Sequence, residues 1–419
     1  MSADVILLIL LGSLHLTWLM DPSLRVFYSL GANPYVAPIL TTITLGYAWL
    51  GTACKSSSRT ARLGKTVLIV CLVSLFAIVP LIQNVQLRQE NGPATYSHDG
   101  LIQTELATAF FAQGRNPYVV SYRDTPMADW TFREGDLTEN PALDHVPYLP
   151  ATFILPWPLR QLSMLALGWY DQRLFHLIAF VVAWFAAHRL LGSQRWLQFT
   201  IVLALSPLLL PYFLEGRNDV VILAWLLLAT VALRQNHTLQ AAAFFALACA
   251  TKQTAWFFFP ALALYRYSRT SSRASLARDL AVFAGILALF LLPFLVWAPA
   301  AFVGDTLSYQ SGRGAHPYPV KGLGLSQLML MLGLLPSTSA PFPFWIPQAI
   351  LGGAALAWVL RFVHRHPSLK RVWIGSGLLL AVVGFASRAF NDSHWGFAGL
   401  VLVVGYLLGE GSPSVQANG

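Results

Sequence analysis

Tyr96-Ser97-His98-Asp99-Gly100 begins the first long polar segment of the chain, directly after a hydrophobic run that ends near residue 87. The run from Leu101 to Phe111 follows with the apolar spacing of a short helix that lies in a membrane interface. Gly114 and Pro117 predict its end, because Gly favours the C-terminal cap and Pro cannot continue a helix. The apolar stripe consists of Ile102, Leu106, Ala109 and Phe110, and the residues off the stripe are Thr104, Glu105 and Thr108.

Asp99 has two interpretations at this position. Its carboxylate is suited to the N-cap of the helix that follows, where it would accept a backbone hydrogen bond. A carboxylate held at a membrane surface is also suited to act as a general base. The local sequence leaves both interpretations open.

The composition indicates a polytopic membrane protein of the all-α class. Hydrophobic residues make up 56% of the 419 residues and charged residues only 11%, whereas soluble domains carry about 25% charged residues. Several apolar runs reach about 20 residues, which is enough for a helix to cross a bilayer. The runs lie at about 3–20, 35–53, 66–87, 172–190, 197–213, 219–233, 239–265, 279–298, 344–361, 371–387 and 395–409.

Basic linkers mark one side of the membrane. More than half of the 27 Lys and Arg residues fall in five linkers, while most of the 18 acidic residues fall in the other connections. The positive-inside rule places these linkers in the cytoplasm. The net charge of +9 therefore reflects membrane orientation, and we expect no nucleic-acid partner. The linkers are Lys55–Lys65, Arg189–Arg195, Arg234, Arg266–Arg278 and Arg361–Arg371.

The run Leu239–Tyr265 has basic linkers on both sides, which a single straight span cannot satisfy. The polar interruption Thr251–Thr254 resolves the conflict if two half-spans rise and return, with Lys252 held at the outer leaflet. A charged residue in such a segment is a functional candidate. The alternative is that Lys252 snorkels from a single tilted span.

Two further segments are predicted to stay on the outer side without crossing. Tyr148–Pro158 contains three prolines, which favour an interfacial or re-entrant helix over an uninterrupted one. Lys321–Leu335 belongs outside because the basic linker after it must be inside. We expect about 12 transmembrane helices, with both termini in the cytoplasm and interfacial helices in two large extracytoplasmic loops. The predicted organisation is a single transmembrane domain at 1–410, loops at 88–171 and 299–343, and a disordered tail at 411–419.

The polar residues predicted on the outer side gather at the ends of the spans. They combine a few carboxylates with Arg, Lys and His, which suits an anionic leaving group and a base for a neutral nucleophile. The candidate phosphate-binding residues are Arg217, Lys252, Arg313 and Arg388. The candidate substrate-binding residues are His98, His145, Tyr148, Asn218, Asp219, Gln253, His316, Asn391, Asp392 and His394.

Structural explanations compete for several of these residues. Asp219 is suited to cap the span that it begins, and Arg217 with Glu215 is suited to a surface ion pair of little consequence. The candidate histidines of the later loops are equally suited to solvated positions. Arg313 lies between two glycines, where a structural role is hard to find, and this favours phosphate contact.

The absence of several motifs restricts the chemistry. The sequence has no GxxxxGK[ST] phosphate loop, no HExxH or CxxC, and no Asp-x-Asp pair that would hold a metal with a nucleotide sugar. We therefore expect no metal and no cofactor. A lipid-phosphate donor that enters from the bilayer fits a basic, outward-facing pocket at membrane level.

Four segments together resemble the GT-C class of membrane glycosyltransferases. Within it, the chain is most similar to glycosyltransferase family 87, the polyprenyl-phosphate-mannose-dependent mannosyltransferases. Each motif is short, but their order and spacing match over roughly residues 66–410. The segments are His98–Tyr118, Tyr148–Pro158, Gly216–Val221 and Ala250–Thr254 with Pro260.

The resemblance implies that Asp99 activates an acceptor hydroxyl, and that Lys252 and outer-face arginines hold the donor phosphate without a required metal. The expected reaction transfers a sugar from a polyprenyl-phosphate donor to a lipid or glycan hydroxyl, and mannose is the first candidate for that sugar. Attack opposite the phosphate would invert the anomeric centre. The expected location is the plasma (inner) membrane of the cell envelope, with an extracytoplasmic site. Residues 1–53 depart from the class, which often begins with the span before the catalytic loop.

Two other functions are compatible with parts of the sequence. A polysaccharide ligase or polymerase with a lipid-diphosphate donor would share the basic outer site. A lipid or sugar transporter would use broken helices, but the chain lacks an inverted repeat, and its charges gather on one side of the membrane.

Overall fold

The computed structural model is a helical bundle in which the described residues contain one pair of very short strands. The structure describes residues 2–20, 35–53, 58–132, 137–270, 272–314 and 316–409, so the predicted tail at 411–419 lies outside it. The helices are α1 Ala3–Met20, α2 Val36–Ala53, α3 Arg59–Val73, α4 Val79–Asn91, α5 Asp99–Ala112, α6 Ala151–Ile154, α7 Trp157–Leu167, α8 Arg173–Leu205, α9 Leu210–Leu214, α10 Asp219–Arg234, α11 Thr238–Thr251, α12 Phe259–Arg269, α13 Arg273–Trp297, α14 Pro299–Val303, α15 Leu325–Met331, α16 Trp345–Arg365, α17 Leu369–Phe385 and α18 Asp392–Leu407. The strands are β1 Lys321–Gly322 and β2 Ala389–Phe390.

Long apolar helices agree with a membrane protein. Among the described residues, four stretches are long and apolar enough to cross a bilayer: Arg59–Asn91, which joins α3 to α4 through a π-turn, and α8, α13 and α16. Shorter apolar helices occur at Ala3–Thr17, Val36–Thr52 and Thr238–Thr251. The all-α class is confirmed, while the count of about 12 crossings and the single domain stay predictions.

α8 consists of two helices joined by a sharp turn. Gly192 has φ 69° and ψ 165°, a left-handed φ that glycine adopts without strain. The Trp184 indole donates to Thr200 Oγ1 at 2.9 Å, and the Trp196 indole donates to the Trp184 carbonyl at 3.1 Å. These contacts lay the second half against the first, which agrees with the two runs predicted at 172–190 and 197–213.

α11 and α12 are two halves of one apolar run that breaks at Lys252. This residue has an extended backbone, with φ −156° and ψ 144°, and the 3₁₀ turn Gln253–Phe258 follows it. The far ends of both halves meet on Asp279, where Thr238 donates to Oδ1 at 2.7 Å and Arg266 donates to Oδ2 at 2.6 Å. The run therefore rises and returns, which confirms the predicted break.

α5 is buried on more sides than its apolar stripe predicts. Thr104 and Thr108, predicted to lie off the stripe, are buried, and their hydroxyls donate to the carbonyls of Gly100 and Thr104 at 2.9 and 2.8 Å. A buried hydroxyl that is satisfied within its own helix needs no water. The prediction of a polar side on this helix is therefore wrong.

A buried cluster of four charged residues fixes the position of α5. Arg88 of α4 binds Glu105 of α5 at 2.7 Å and Asp171 at 2.9 Å. Arg173 of α8 binds the same Asp171 at 2.7 Å and donates to the Tyr96 carbonyl at 2.8 Å. Each charge has an opposite partner, so the cluster avoids the large cost of an unpaired buried charge. It also fixes the segment that leads into α5.

The two long loops that are predicted to be extracytoplasmic are tied to the helices at two places. The proline-rich segment forms the two short helices α6 and α7, and α6 packs against α5 and α11. β1 pairs with β2 in parallel, with Lys321 opposite Ala389 and Gly322 opposite Phe390. Gly322 has φ 99°, and a Cβ there would collide with the Phe390 carbonyl, so the close pairing requires glycine.

Candidate active site

A cavity of about 670 Å³ lies where α5, α10 and α18 begin and where the apolar run breaks at Lys252. Loop residues between α5 and α6 and around β1 complete its wall. Most of the predicted site residues line this one cavity: His98, Asp99, Tyr148, Arg217, Asn218, Asp219, Lys252, Gln253, Arg313, Arg388, Asn391 and His394.

Asp99 is the first residue of α5, and the N-cap position belongs to His98. Its Oδ1 lies 2.8 Å from His98 Nδ1 and accepts the Gly100 backbone N–H at 2.7 Å. Its Oδ2 accepts a hydrogen bond from Asn140 Nδ2 at 2.9 Å. The side chain is 17% exposed and faces the cavity. His98 therefore holds the N-cap position, while Asp99 accepts one backbone N–H of the first turn and also faces the cavity.

The neighbours of Asp99 keep its carboxylate ionised. Burial raises the pKa of Asp99, but the charge and hydrogen bond of His98, the hydrogen bond from Asn140 and the charge of Lys321 outweigh burial. Together they hold the pKa well below its usual range. Because folding lowers this pKa, these contacts stabilise the folded protein at neutral pH, and their contribution is lost as pH falls through the lowered pKa.

Gly100 allows Tyr148 to reach the start of α5. A Cβ at position 100 would overlap the Tyr148 hydroxyl and lie 3.2 Å from His98 Nδ1. The Tyr118 hydroxyl donates to the Tyr148 carbonyl at 2.7 Å and fixes the tyrosine's backbone. Burial and the charge of Asp99 raise the pKa of Tyr148, so its hydroxyl stays protonated. Tyr148 can therefore donate a hydrogen bond beside the carboxylate.

Lys252 and Asp219 form an ion pair inside the cavity. Lys252 Nζ lies 2.7 Å from Asp219 Oδ1, and the two side chains are 15% and 14% exposed. Asp219 begins α10, but the structure also uses its carboxylate to hold the ammonium group. Lys252 therefore faces protein and cavity, in agreement with a break that carries the residue to the site.

Arg217 is held in a buried environment. Its guanidinium pairs with Glu215, which is 4% exposed, and Nη1 donates to Ser393 Oγ at 2.7 Å. It also lies over the Tyr212 ring, 4.5 Å from the ring centre. The alternative of a surface pair of little consequence is wrong, because removing either charge would leave its partner buried alone.

The two remaining candidate arginines differ in their contacts. Arg388 is 2% exposed, and its three nitrogens donate to the carbonyls of Tyr318, Ala340 and Thr338. Three of its five N–H donors bind the backbone and the side chain is almost fully buried, so we interpret Arg388 mainly as a structural residue, and its predicted phosphate contact stays a prediction. Arg313 is exposed at the cavity, and its side chain makes no hydrogen bond or ion pair with the described residues.

Three predicted substrate-binding residues do not line the cavity. Each of these side chains contacts another residue of the protein, so the structure does not bring it into the cavity wall with the other candidates. They are His145, which contacts Asp305 at 2.8 Å, His316, which contacts Asp144 at 3.0 Å, and Asp392, which accepts a hydrogen bond from Tyr212.

Sequence reasoning missed two residues next to Asp99. Asn140 caps the short 3₁₀ helix Pro141–Leu143, and the pair Asn-Pro was the available signal of a helix start. Lys321 lies in β1, with its Nζ 5.3 Å from the centre of the Tyr318 ring. No local signal identifies Lys321, because its position depends on pairing with β2.

In the part of the chain that the structure describes, no group of three or more His, Cys, Asp or Glu side chains is arranged to hold a metal ion. The expectation that the reaction needs neither metal nor cofactor stays a prediction. Cationic side chains line the cavity, among them Lys252, which is paired with Asp219, and the exposed Arg313.

Comparison with known families decides the class of the protein. The sequence profile of glycosyltransferase family 87 matches residues 147–387, which is more than half of the chain. The chain belongs to glycosyltransferase family 87. It is a membrane glycosyltransferase, and the resemblance drawn from the sequence is confirmed. Searches for similar curated proteins and for similar solved structures gave no match.

The matched region covers only part of the site of this family 87 glycosyltransferase. It includes Tyr148, Lys252 and Arg313, and it begins after Asp99. It ends before Asn391 and the start of α18. The assignment of Asp99 therefore depends on the geometry around its carboxylate.

Proposed function

We propose that this family 87 glycosyltransferase transfers mannose from a polyprenyl-phosphate donor to a hydroxyl of a lipid or glycan acceptor. The reaction is inverting, requires no metal and takes place on the extracytoplasmic face of the plasma (inner) membrane. The observation that carries the proposal is the ionised carboxylate of Asp99 in the wall of a cavity that also contains Lys252 and Arg313.

Asp99 acts as the base in this mechanism. An alcohol is a poor nucleophile because it holds its proton tightly at neutral pH. The carboxylate accepts that proton while the acceptor oxygen forms a bond to the anomeric carbon. The lowered pKa makes Asp99 a weak base, so the proton moves late, after the attacking oxygen has gained positive charge. Attack opposite the phosphate inverts the anomeric centre, and one carboxylate is sufficient.

The leaving group needs positive charge rather than an acid. The bond from the anomeric carbon to the phosphate oxygen breaks, and its electron pair leaves with the polyprenyl phosphate. Cations already in place stabilise this charge without reorganisation. Arg313 is exposed at the cavity and offers a planar, bidentate donor group, while Asp219 keeps Lys252 in position.

A panel of donors tests the proposal directly. Purified protein is incubated with polyprenyl-phosphate sugars and an acceptor extract, and released polyprenyl phosphate is measured. We expect release with the mannose donor, an inverted anomer by NMR and no loss of activity with a chelator. Activity restricted to lipid-diphosphate donors would support a ligase or polymerase instead. Movement of labelled lipid across vesicles without transfer would support a transporter.

A further inference from the structure

Asn140 contacts Asp99 from the far side of the first outer loop. It is 5% exposed, its Nδ2 donates to Asp99 Oδ2 at 2.9 Å, and its Oδ1 accepts the Ala142 backbone N–H at 3.0 Å. A backbone N–H can only donate, so it fixes the carbonyl end of the Asn140 amide on Ala142. The amide therefore presents only N–H groups to Asp99.

The contacts of Asp99 leave one acceptor position open. Each carboxylate oxygen has two lone pairs. Oδ1 accepts the Gly100 N–H at 2.7 Å, a shorter contact than the 3.0 Å from the same N–H to His98 Nδ1. Oδ1 also lies 2.8 Å from His98 Nδ1, so both of its positions are used when Nδ1 carries a proton. Oδ2 meets Asn140, and its second position remains for the cavity. Only Oδ2 of Asp99 can therefore accept the proton of the acceptor hydroxyl, and it can do so from one direction.

We propose that Asn140 is a positioning residue for the base: it orients Oδ2 of Asp99 so that its open lone pair faces the acceptor hydroxyl, and it prevents that oxygen from carrying a proton. This inference rests on the proposed role of Asp99. It goes further because it names the reacting oxygen and makes the loop before Pro141 part of the active site.

Several other titratable groups face Asp99 from the surrounding elements: His98, Tyr148, Tyr309 and Lys321. His98 and Lys321 favour the ionised carboxylate, whereas burial raises the pKa of both tyrosines and keeps them neutral. Because the pKa of Asp99 lies below its usual range, the wild type should lose no transfer through protonation of Asp99 between pH 8 and about pH 5.

The substitution Asn140→Asp tests the inference with almost no change in shape. One oxygen of the new carboxylate can still accept the Ala142 N–H, while the other faces Asp99 Oδ2. Two carboxylate oxygens within hydrogen-bond distance of each other share a proton, because two negative charges so close together repel. We expect an acid limb in the pH profile of kcat with a midpoint above about pH 5, and recovery of transfer at higher pH. Asn91→Asp makes the same change at an exposed helix end and should keep the wild-type profile.

A second variant covers the case in which Asn140→Asp does not fold. Asn140→Ser keeps an acceptor for the helix cap and removes the donor to Asp99. We expect kcat to fall about tenfold, the donor KM to stay within about twofold, and the thermal midpoint to remain close to that of the wild type. Loss of the hydrogen bond from Asn140 should also raise the pKa of Asp99. The acid limb of the kcat profile, which lies below about pH 5 in the wild type, should therefore move toward neutral pH, and a purely structural cap would not cause this shift.

The outcomes separate this inference from the proposed function. Wild-type kcat and pH profile in the folded Asn140 variants would overturn the positioning role. So would a loss of transfer that follows thermal stability without any acid limb. Near-normal transfer by Asp99→Asn in the same assay would instead overturn the base itself. An inactive Asp99→Asn variant combined with unchanged Asn140 profiles removes only the inference.

Discussion

At the scale of single residues, the partners of each carboxylate distinguish Asp99 from the other acids near the cavity. Asp219 is bound to Lys252, Asp305 contacts His145, and Asp392 accepts a hydrogen bond from a tyrosine. Asp99 is surrounded by donors that stabilise its charge and still leave one oxygen open to the cavity. This difference is the reason why we propose Asp99 as the base.

Asp99→Asn keeps the size of the side chain and removes its proton affinity. We expect turnover to fall by about a hundredfold or more, with donor affinity and thermal midpoint near those of the wild type, because only proton transfer is lost. Asp129→Asn, at an exposed loop position, is the matched control and should remain active. Transfer by Asp99→Asn at close to the wild-type rate would move the catalytic role to another acid.

Lys252 cannot be tested alone, because Lys252→Met leaves the Asp219 carboxylate buried without its cation and should lower the thermal midpoint. The double variant Lys252→Met/Asp219→Asn removes both charges. We expect it to recover the thermal midpoint but to keep a donor KM at least about tenfold above that of the wild type, since the phosphate still lacks its cation. Recovery of both properties would show that Lys252 serves only Asp219.

At the scale of elements, the start of α5 determines the geometry of the site. The buried charged cluster fixes the helix from behind, while His98 and Gly100 shape its first turn. Gly100 is costly in a helix by about 1 kcal/mol relative to Ala. Its presence is explained by the Tyr148 hydroxyl, which occupies the space that a Cβ would need.

Gly100→Ala should therefore separate stability from function. Alanine favours the helix, but its Cβ would displace Tyr148 and disturb His98, so we expect transfer to fall about tenfold or more without a matching loss of thermal stability. Gly399→Ala is the control, because a Cβ at that position in α18 meets nothing within 4 Å. Wild-type kcat in Gly100→Ala would show that the Tyr148 contact does not matter for transfer.

At the scale of the whole molecule, the distribution of charge predicts the orientation in the membrane. The start of α11 and the end of α12, which adjoin basic linkers, both bind Asp279. The break at Lys252 lies at the opposite ends of these two helices. If the basic linkers are cytoplasmic, the cavity opens on the opposite side. The membrane character is established, whereas the side of the active site stays a prediction.

Cysteine labelling in a cysteine-free background tests this orientation. We expect an impermeant reagent added outside the cell to label Asp129→Cys and Arg313→Cys and to miss Ala274→Cys and His366→Cys, because the last two lie in basic linkers. All four positions are exposed in the structure, so accessibility depends on the membrane side. Labelling of the basic-linker positions from outside would reverse the topology. Ser57, Asp136 and Ser271 are further probe positions in the loops concerned, and they lie outside the described residues.

The sequence by itself determined the membrane class, the family and the break at Lys252. These features follow from hydropathy summed along a run, from charge asymmetry between linkers and from the order of short motifs, all of which are readable without a fold. Most of the site residues that it predicted line the cavity, because polar residues at the ends of apolar spans tend to meet at one depth.

Only the tertiary structure shows which partners those residues have. Asn140 reaches Asp99 across 41 positions of sequence, and Lys321 reaches the site through the pairing of β1 with β2. Arg388 resembled a phosphate ligand in the sequence, yet three of its five N–H donors bind backbone carbonyls. Residue type shows which charge is present. Hydrogen-bond partners and burial decide whether that charge remains available to a substrate, and both depend on contacts between distant parts of the chain.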